Sequence, residues 1–310
     1  MPNFPKDLLS IADLKPDQVD ELIESAMQLK ANRAQHPKYL AGKTYGLLFS
    51  KPSLRTRLSF ETGIFELGGQ SLFIREEEFG LGSRESIEDI AKVVSRYLAG
   101  LIVRSHNHLT LQRMAGFGEC NFINALTDIE HPCQALADLL TLRECFGDTK
   151  GLKLTYIGDG NNVAVSLMLL SAISGIAFSA ITPPRHEPKS AFVNQAAMLA
   201  KQYGSPSPLI TNDPVYAADA DLLYGDVWVS MGEQSQGDER ADFSPYQIDH
   251  ALMQGRKIPV MHCLPAHQGE EISVEVFSEN AALIYNQAEN RLHIQKAILV
   301  KLTNPLESTK

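Results

Sequence analysis

Cysteine is scarce in this chain: four residues, Cys120, Cys133, Cys145 and Cys263, in 310. None lies in a C-x-x-C pair, and the spacings do not resemble a disulfide framework, which points to a reducing, cytoplasmic setting. Basic charge is also in deficit. Lys and Arg number 28 against 37 Asp and Glu, a formal net charge of −9. No cationic surplus exists to displace counterions, which excludes nucleic acid as a bulk partner. No uninterrupted apolar run reaches the roughly 20 residues of a membrane span. The first residues, MPNFPKDLLSIADLKPDQ, carry acids early and lack a long apolar core, so they read as neither a signal nor a transit peptide. Internal repeats, low-complexity tracts and long linkers are missing.

What is present is ordinary globular material, 44% hydrophobic, long enough for two domains. Residues 1–40 read as helical, with apolar residues at helical spacing in PDQVDELIESAMQLKANRAQ. Strand-like runs follow at Tyr45–Ser50, Gln70–Ile74, Gly100–Val103 and Asn121–Ala125, with helices such as SIEDIAKVVSRYL between them. This alternation predicts a parallel α/β domain. HPCQALADLLTLRECFG reads as a long amphipathic helix closed by Gly147-Asp148. A second alternation opens at 152–158 and continues at Gly175–Ile181, Leu209–Thr211, Asp221–Val229, Ile258–His262 and Ala282–Ile284, before a final helix at 287–302. The fold class is therefore α/β, two domains, each a central parallel sheet flanked by helices. The boundary is expected near 145–150, giving domains of 1–148 and 149–286.

An anionic ligand must be met by a local basic cluster, and LLFSKPSLRTRLSFETG supplies one. A strand-like run there meets a helix starting near Leu54, so Ser53, Leu54, Arg55 and Thr56 present N–H groups, hydroxyls and a guanidinium at a helix start. Such a terminus binds anions, because its first N–H groups lack intrahelical partners and the helix dipole is positive there. Arginine adds forked donors that match phosphate. The same residues also read simply as a helix capped by Ser53. Arg104 ends the strand LIVR, at the edge where α/β ligands bind. His131 and Gln134 open the long helix together and could hydrogen-bond a carbonyl or its amine.

In the second half, Gly158-Asp159-Gly160-Asn161-Asn162-Val163 imitates a dinucleotide fingerprint, with Val163 in place of the third glycine. The paired asparagines suit a small carboxylate ligand, or an Asx-type turn at Asn161. Asp226, in DVWVSMG, could hold an ammonium group, and Trp228 reads as buried packing. Cys263, in MHCLP, could contact a ligand or act as a nucleophile. His131, Cys133, His262, Cys263 and His267 include soft donors but no metal-site spacing, so no metal is expected. Glu61, Asp89 and Asp128 read as supports for nearby arginines.

Taken together, KPSLRTRLSFE, RESIEDIAKVVSRY, DIEHPCQALADLLT, GDGNNVAVSL, DVWVSMG, MHCLPAH and AENRLHIQKA resemble the carbamoyltransferases, specifically the ornithine carbamoyltransferase family, nearly end to end. The resemblance implies one domain for carbamoyl phosphate and one for L-ornithine. It implies a C-terminal helix, 287–304, packed back on the first domain, homotrimers or assemblies of trimers, and no cofactor. It places Ser53, Leu54, Arg55 and Thr56 on the phosphate, Arg104 between phosphate and carbonyl oxygen, and His131 and Gln134 on the carbamoyl group. Arg291 returns to carbamoyl phosphate. Asn162, Asp226, Ser230 and Met231 would hold ornithine, while Cys263 and the Leu264 backbone would face the carbamoyl group and the attacking amine. Catalysis would be expected of Arg104, His131, Cys263 and Arg291, with a phosphate oxygen taking the amine proton.

Some positions depart from the family pattern. Leu54 stands where ornithine enzymes usually have Thr, and Leu also occurs in acetylornithine-type relatives. Gln268 replaces a common arginine, and Glu233-Gln234 reverses the usual order. N-acetylornithine and putrescine are therefore alternative acceptors. The HCLP and DVWVSMG segments argue against aspartate. A nicotinamide oxidoreductase would need the third glycine and an acid ending the next strand, where Thr182-Pro183-Pro184 stands. A silent scaffold relative would have lost the phosphate arginines, which are all present.

Overall fold

The structure, a computed structural model, describes residues 4–75, 85–228 and 239–303. It divides into two compact units: Met1–Leu140 with Glu289–Lys310, and Thr141–Ala288. Among the described residues no helix is long and apolar enough to cross a membrane.

Unit 1 opens with α1 (Pro16–Ala31), preceded by a 3-10 turn at Ile11–Asp13. Four parallel strands follow: β1 (Thr44–Phe49), β2 (Gln70–Arg75), β3 (Gly100–Arg104) and β4 (Asn121–Leu126). Between them run α2 (Leu54–Glu66), α3 (Ile87–Tyr97) and α4 (His108–Phe117), and α5 (Pro132–Phe146) begins after β4. The strand order is β2-β1-β3-β4. The chain steps outward from β1 to β2, then crosses to the other side of β1 to lay down β3. The switch point therefore lies between the C-terminal ends of β1 and β3, where open α/β sheets bind ligands.

Local chemistry sets these elements. Every residue of β3 is buried, as a central parallel strand requires. Ser53 caps α2, Ser86 caps α3 and Asn107 caps α4. Leu48, Ile90, Val94, Leu101, Leu111 and Phe122 form a core cluster on one side of the sheet. The chain around Leu8 is not helical. It makes a parallel bridge to Ile123, with Leu8 N donating to Phe122 O and Asn124 N to Leu8 O, which covers the β4 edge.

Unit 2 carries β5 (Lys153–Ile157), α6 (Asn162–Ser174), β6 (Ala177–Ile181), α7 (Ser190–Tyr203), β7 (Leu209–Thr211), β8 (Leu222–Gly225), the short α8 (Glu239–Phe243) and β9 (Val260–His262). The parallel strand order β7-β6-β5-β8-β9 puts its switch point between β5 and β8. Helix α6 is buried from Val163 to Ser174, consistent with a sequence that carries no charge. The last helix, α9 (Val274–Thr303), starts well before the expected 287. It absorbs Ala282–Ile284, expected as a strand. Short apolar runs are ambiguous between strand and helix. Here no Gly or Pro interrupts 274–303, and Ala281 and Ala282 favour helix.

In unit 1, α9 is tied to the far end of α2. Lys296 is fully buried, and its Nζ lies 2.8 Å from Glu66 Oε2. Gly63 permits this approach, since a Cβ there would stand 3.1 Å from Lys296 Cγ. Burial lowers the Lys296 pKa, and Glu66 opposes that shift. Removing one member of a buried pair leaves the other uncompensated. Lys296→Ala is expected to lower stability by about 3 kcal/mol, at the low end for such a loss because Arg33 also contacts Glu66. Urea denaturation would measure it, and a loss below about 1 kcal/mol would mean that the pair is not structural.

Candidate active site

The unit 1 site is built on the switch between β1 and β3. Phe49 pairs with Arg104 at the strand ends, and Ser50 N donates to Arg104 O at 2.8 Å. From there the chain turns into α2. The Ser53 hydroxyl accepts from Thr56 N at 3.4 Å, which makes it the side-chain cap of α2. Arg55 is half-buried, whereas the Leu54 side chain is 72% exposed and leaves only its backbone to the helix start. Arg291, from α9, reaches in: its Nη2 donates to Thr56 Oγ1 at 3.1 Å and its Nη1 to Gln134 Oε1 at 2.6 Å. Gln134 Nε2 donates to Asp138 at 2.8 Å. Arg104, Thr56, His131, Gln134 and Arg291 are all buried.

These groups shape one another's charge. Burial lowers the Arg104 pKa to about 10, helped by the positive charges of Arg291 and Arg55. Burial, Arg291 and Arg104 hold His131 well below the usual imidazole range, so it is neutral at neutral pH. Cys133 is pushed up to about 12 by burial. Its thiol donates to Asn124 O at 3.4 Å and is inert packing. Three guanidiniums close enough to repel, with a neutral imidazole among them, form an environment that an anion would relieve.

In unit 2 the loops after β5, β8 and β9 meet. Asp226, buried, follows β8. Its Oδ2 accepts from Asn161 Nδ2 at 2.8 Å, and its Oδ1 accepts from Cys263 Sγ at 2.9 Å. Asn161 is the N-cap of α6, as an Asx turn would have it, and half-buried Asn162 starts the helix. Leu264 takes a left-handed backbone, φ 58°, and its N–H donates to His262 Nδ1 at 2.9 Å. His262 Nε2 in turn donates to Glu271 Oε1 at 3.1 Å. Ser230 and Met231 lie outside the described residues, as do Glu233 and Gln234. Trp228 is buried and stacks on Phe243.

The glycine loop does not offer a dinucleotide cradle. A Cβ on Gly160 would lie 2.2 Å from Pro188 N and 2.5 Å from Glu187 C. The space a pyrophosphate would need is filled by backbone. With the missing third glycine and the absence of an acid after β6, this removes the case for a nicotinamide site.

Several supports escaped the sequence reading. His262, considered only as a soft donor, and Glu271 together buttress Leu264; no local pattern marks them. Among the described residues Asp89 takes a different partner: it accepts from Ser86 Oγ at 2.7 Å and reinforces the α3 cap. Asp128 accepts from His108 N at the start of α4. Glu61 takes the expected partner, Arg57 at 3.0 Å. His267, Glu270 and Glu271 bring three possible metal-ligand atoms within 4.8 Å of one another, but Glu271 Oε1 is already engaged by His262 and by His267 N.

The architecture defines the class: a two-unit parallel α/β protein with a polar site at the switch point of each sheet. A family model described as the carbamoyl-P binding domain of aspartate/ornithine carbamoyltransferase matches residues 6–144, and the Asp/Orn binding domain of the same family matches 150–302. An ornithine carbamoyltransferase from Aquifex aeolicus is 44% identical, over 95% of this chain and 96% of its own length. The solved ornithine carbamoyltransferase of Pyrococcus furiosus is similar at a TM-score of 0.90 and 39% identity, covering 94% of this chain and 95% of its own. An anabolic ornithine carbamoyltransferase from Campylobacter jejuni, also solved, has a TM-score of 0.90 at 32% identity, covering 97% and 100%. The chain belongs to the aspartate/ornithine carbamoyltransferase family.

The suppressed basicity of His131 has a stability consequence. A histidine whose pKa falls on folding contributes fully above its unfolded value of 6.5, and that contribution is lost as pH falls below it. Between pH 6.5 and 5, the wild type is expected to lose more stability than His131→Asn. Urea denaturation at the two pH values would test this, and equal losses would contradict a neutral buried imidazole.

Proposed function

We propose that the chain transfers the carbamoyl group of carbamoyl phosphate to the δ-amine of L-ornithine, giving L-citrulline and phosphate. The observation that carries this reading is the crowding of Arg55, Arg104 and Arg291 at the start of α2, beside buried His131 and Gln134. Unit 1 would then bind carbamoyl phosphate. The helix-start N–H groups of residues 53–56, the Ser53 and Thr56 hydroxyls and Arg55 would take the phosphate. Arg291 already fills an acceptor site on Thr56 Oγ1. The Thr56 O–H is thereby left to donate to the ligand. Thr56, Arg104 and neutral His131 would stabilise the carbonyl oxygen as it gains negative charge, each such donor being worth about 3 kcal/mol in the transition state. The second lone pair of Gln134 Oε1 would accept from the carbamoyl amide.

Unit 2 would bind the acceptor. Asp226 would take the α-ammonium and Asn162 the α-carboxylate, with Ser230 and Met231 completing the set. Cys263 and the Leu264 backbone would take the attacking amine. In the reaction a C–N bond forms and the C–O bond to phosphate breaks. The amine proton passes to a phosphate oxygen, since among the described residues no side chain is placed as an obvious base. No cofactor is required by this chemistry.

The favoured setting is cytoplasmic arginine biosynthesis. The similarity to an enzyme described as anabolic supports the direction, and the scarcity of cysteine supports the compartment. A homotrimer, or an assembly of trimers, is proposed to use an apolar face of unit 1. Leu54, Leu58 and Phe65 of α2 and Leu72 of β2 are 72%, 52%, 76% and 44% exposed. Phe65→Glu is expected to shift the protein to a smaller species in sedimentation velocity. An unchanged sedimentation coefficient would place the interface elsewhere.

The reading is tested by assaying carbamoyl transfer to ornithine, N-acetylornithine, putrescine and aspartate. Citrulline from ornithine alone is expected, and product from another acceptor would overturn the roles given to Asp226 and Asn162. Arg55→Ala is expected to weaken carbamoyl phosphate binding by about a hundredfold, a loss of about 2 to 3 kcal/mol for a charge-assisted contact. Calorimetry finding unchanged affinity would remove Arg55 from the site.

A further inference from the structure

Asn161 is more than a helix cap. Its Oδ1 accepts from two backbone N–H groups, Val163 at 2.9 Å and Ala164 at 3.2 Å. Those donors identify the oxygen, so the other amide atom is the nitrogen. That nitrogen donates to Asp226 Oδ2 at 2.8 Å. The remaining carboxylate oxygen, Oδ1, accepts from Val227 N at 2.8 Å and Cys263 Sγ at 2.9 Å. Donors from the ends of three neighbouring strands, β5, β8 and β9, thus fix one carboxylate in plane and rotation.

The contact crosses the switch point. Strands β5 and β8 pair through Ile157 and Gly225, and their chains diverge just beyond. Asn161 bridges the resulting crevice from the β5 side to the β8 side. Because α6 is rigidly buried, its cap is a fixed anchor. We propose that Asn161 is a positioning residue that orients the Asp226 carboxylate toward the α-ammonium of the acceptor amino acid, and so sets acceptor affinity. This inference rests on the proposed role of Asp226. It assigns no contact with substrate to Asn161 itself.

Capping and positioning can be separated, because they use different atoms. Asn161→Asp keeps the length and the capping oxygen but cannot donate to Asp226. Asn161→Ser is a shorter cap that also removes the amide donor. Both helix starts should survive, so thermal stability should fall little. With saturating carbamoyl phosphate, KM for ornithine is expected to rise at least about fivefold in both variants, as one lost hydrogen bond to a charged group implies, and further in Asn161→Asp because two carboxylates then face each other. The kcat should fall by less than KM rises, a pattern of lost acceptor binding. The affinity for carbamoyl phosphate, measured by calorimetry, should be unchanged.

A KM rise below about fivefold in both variants would overturn the inference and leave Asn161 a cap. So would equal losses of carbamoyl phosphate and ornithine binding, which would indicate general disruption. If the wild type fails to carbamoylate ornithine at all, the functional reading falls and this inference with it. That outcome is visible before any variant is made.

Discussion

Repulsion among guanidiniums, two buried and one half-buried, is the constraint on which unit 1 is organised. Arg104 comes from a strand end, Arg55 from a helix start and Arg291 from a helix far away in sequence. Burial and the other two arginines depress Arg104 together. Cations do not gather in a desolvated place without something to hold them there. The fold supplies neutral acceptors in part, through Thr56 and Gln134. A bound anion would supply the rest, and would add charge-assisted bonds that the protein groups alone cannot provide. Stability in the ligand-free chain is therefore partly given up where an anion would restore it.

The same strand geometry recurs in unit 2 with the opposite sign. Each sheet reverses its direction of growth once, and each polar site sits beyond the strands that flank the reversal. In unit 1 that crevice gathers arginines. In unit 2 it holds a carboxylate, Asp226, under donors from Asn161, Val227 and Cys263. Parallel strands all present their C-terminal ends on one edge, so residues distant in sequence converge without long loops. The buried pair His262–Glu271 then holds Leu264 in a backbone region that side chains seldom adopt.

Much of this was legible in the sequence. Ser53 could be read as a cap, Arg104 as the end of its strand, and Leu209–Thr211 as a strand with its observed bounds. The reasons are local: hydroxyl caps, apolar runs and turn residues act over a few positions. Reading failed where the deciding contact was distant. Ala282–Ile284 looked like a strand because its apolar run was judged alone, while the uninterrupted helix on both sides decides its state. Asp89 and Asp128 were matched with arginines by charge, but Ser86 and His108 N are nearer. His262 gave no sign of its tie to Glu271, since only the folded loop brings them together. Gln268 lies exposed at a bridge to Ile272, and nothing in the structure explains its departure from the family pattern.

The discontinuity of unit 1 has a consequence for synthesis. Its first part ends at Leu140, and its second begins only at Glu289. On the ribosome, the sheet with Ser53, Arg104 and His131 emerges early, and all of unit 2 follows before Arg291 and Lys296 exist. Domains tend to fold in order of emergence. Unit 2 is continuous and can close on its own schedule. Unit 1 must wait with the underside of α2 uncovered, because Leu292 and Lys296 pack on it at Gly63. During that interval the nascent chain exposes apolar surface that a chaperone can recognise. The arginine cluster is among the last features to be completed, so an incomplete chain would present Arg55 and Arg104 without the residue that orders Thr56 and Gln134.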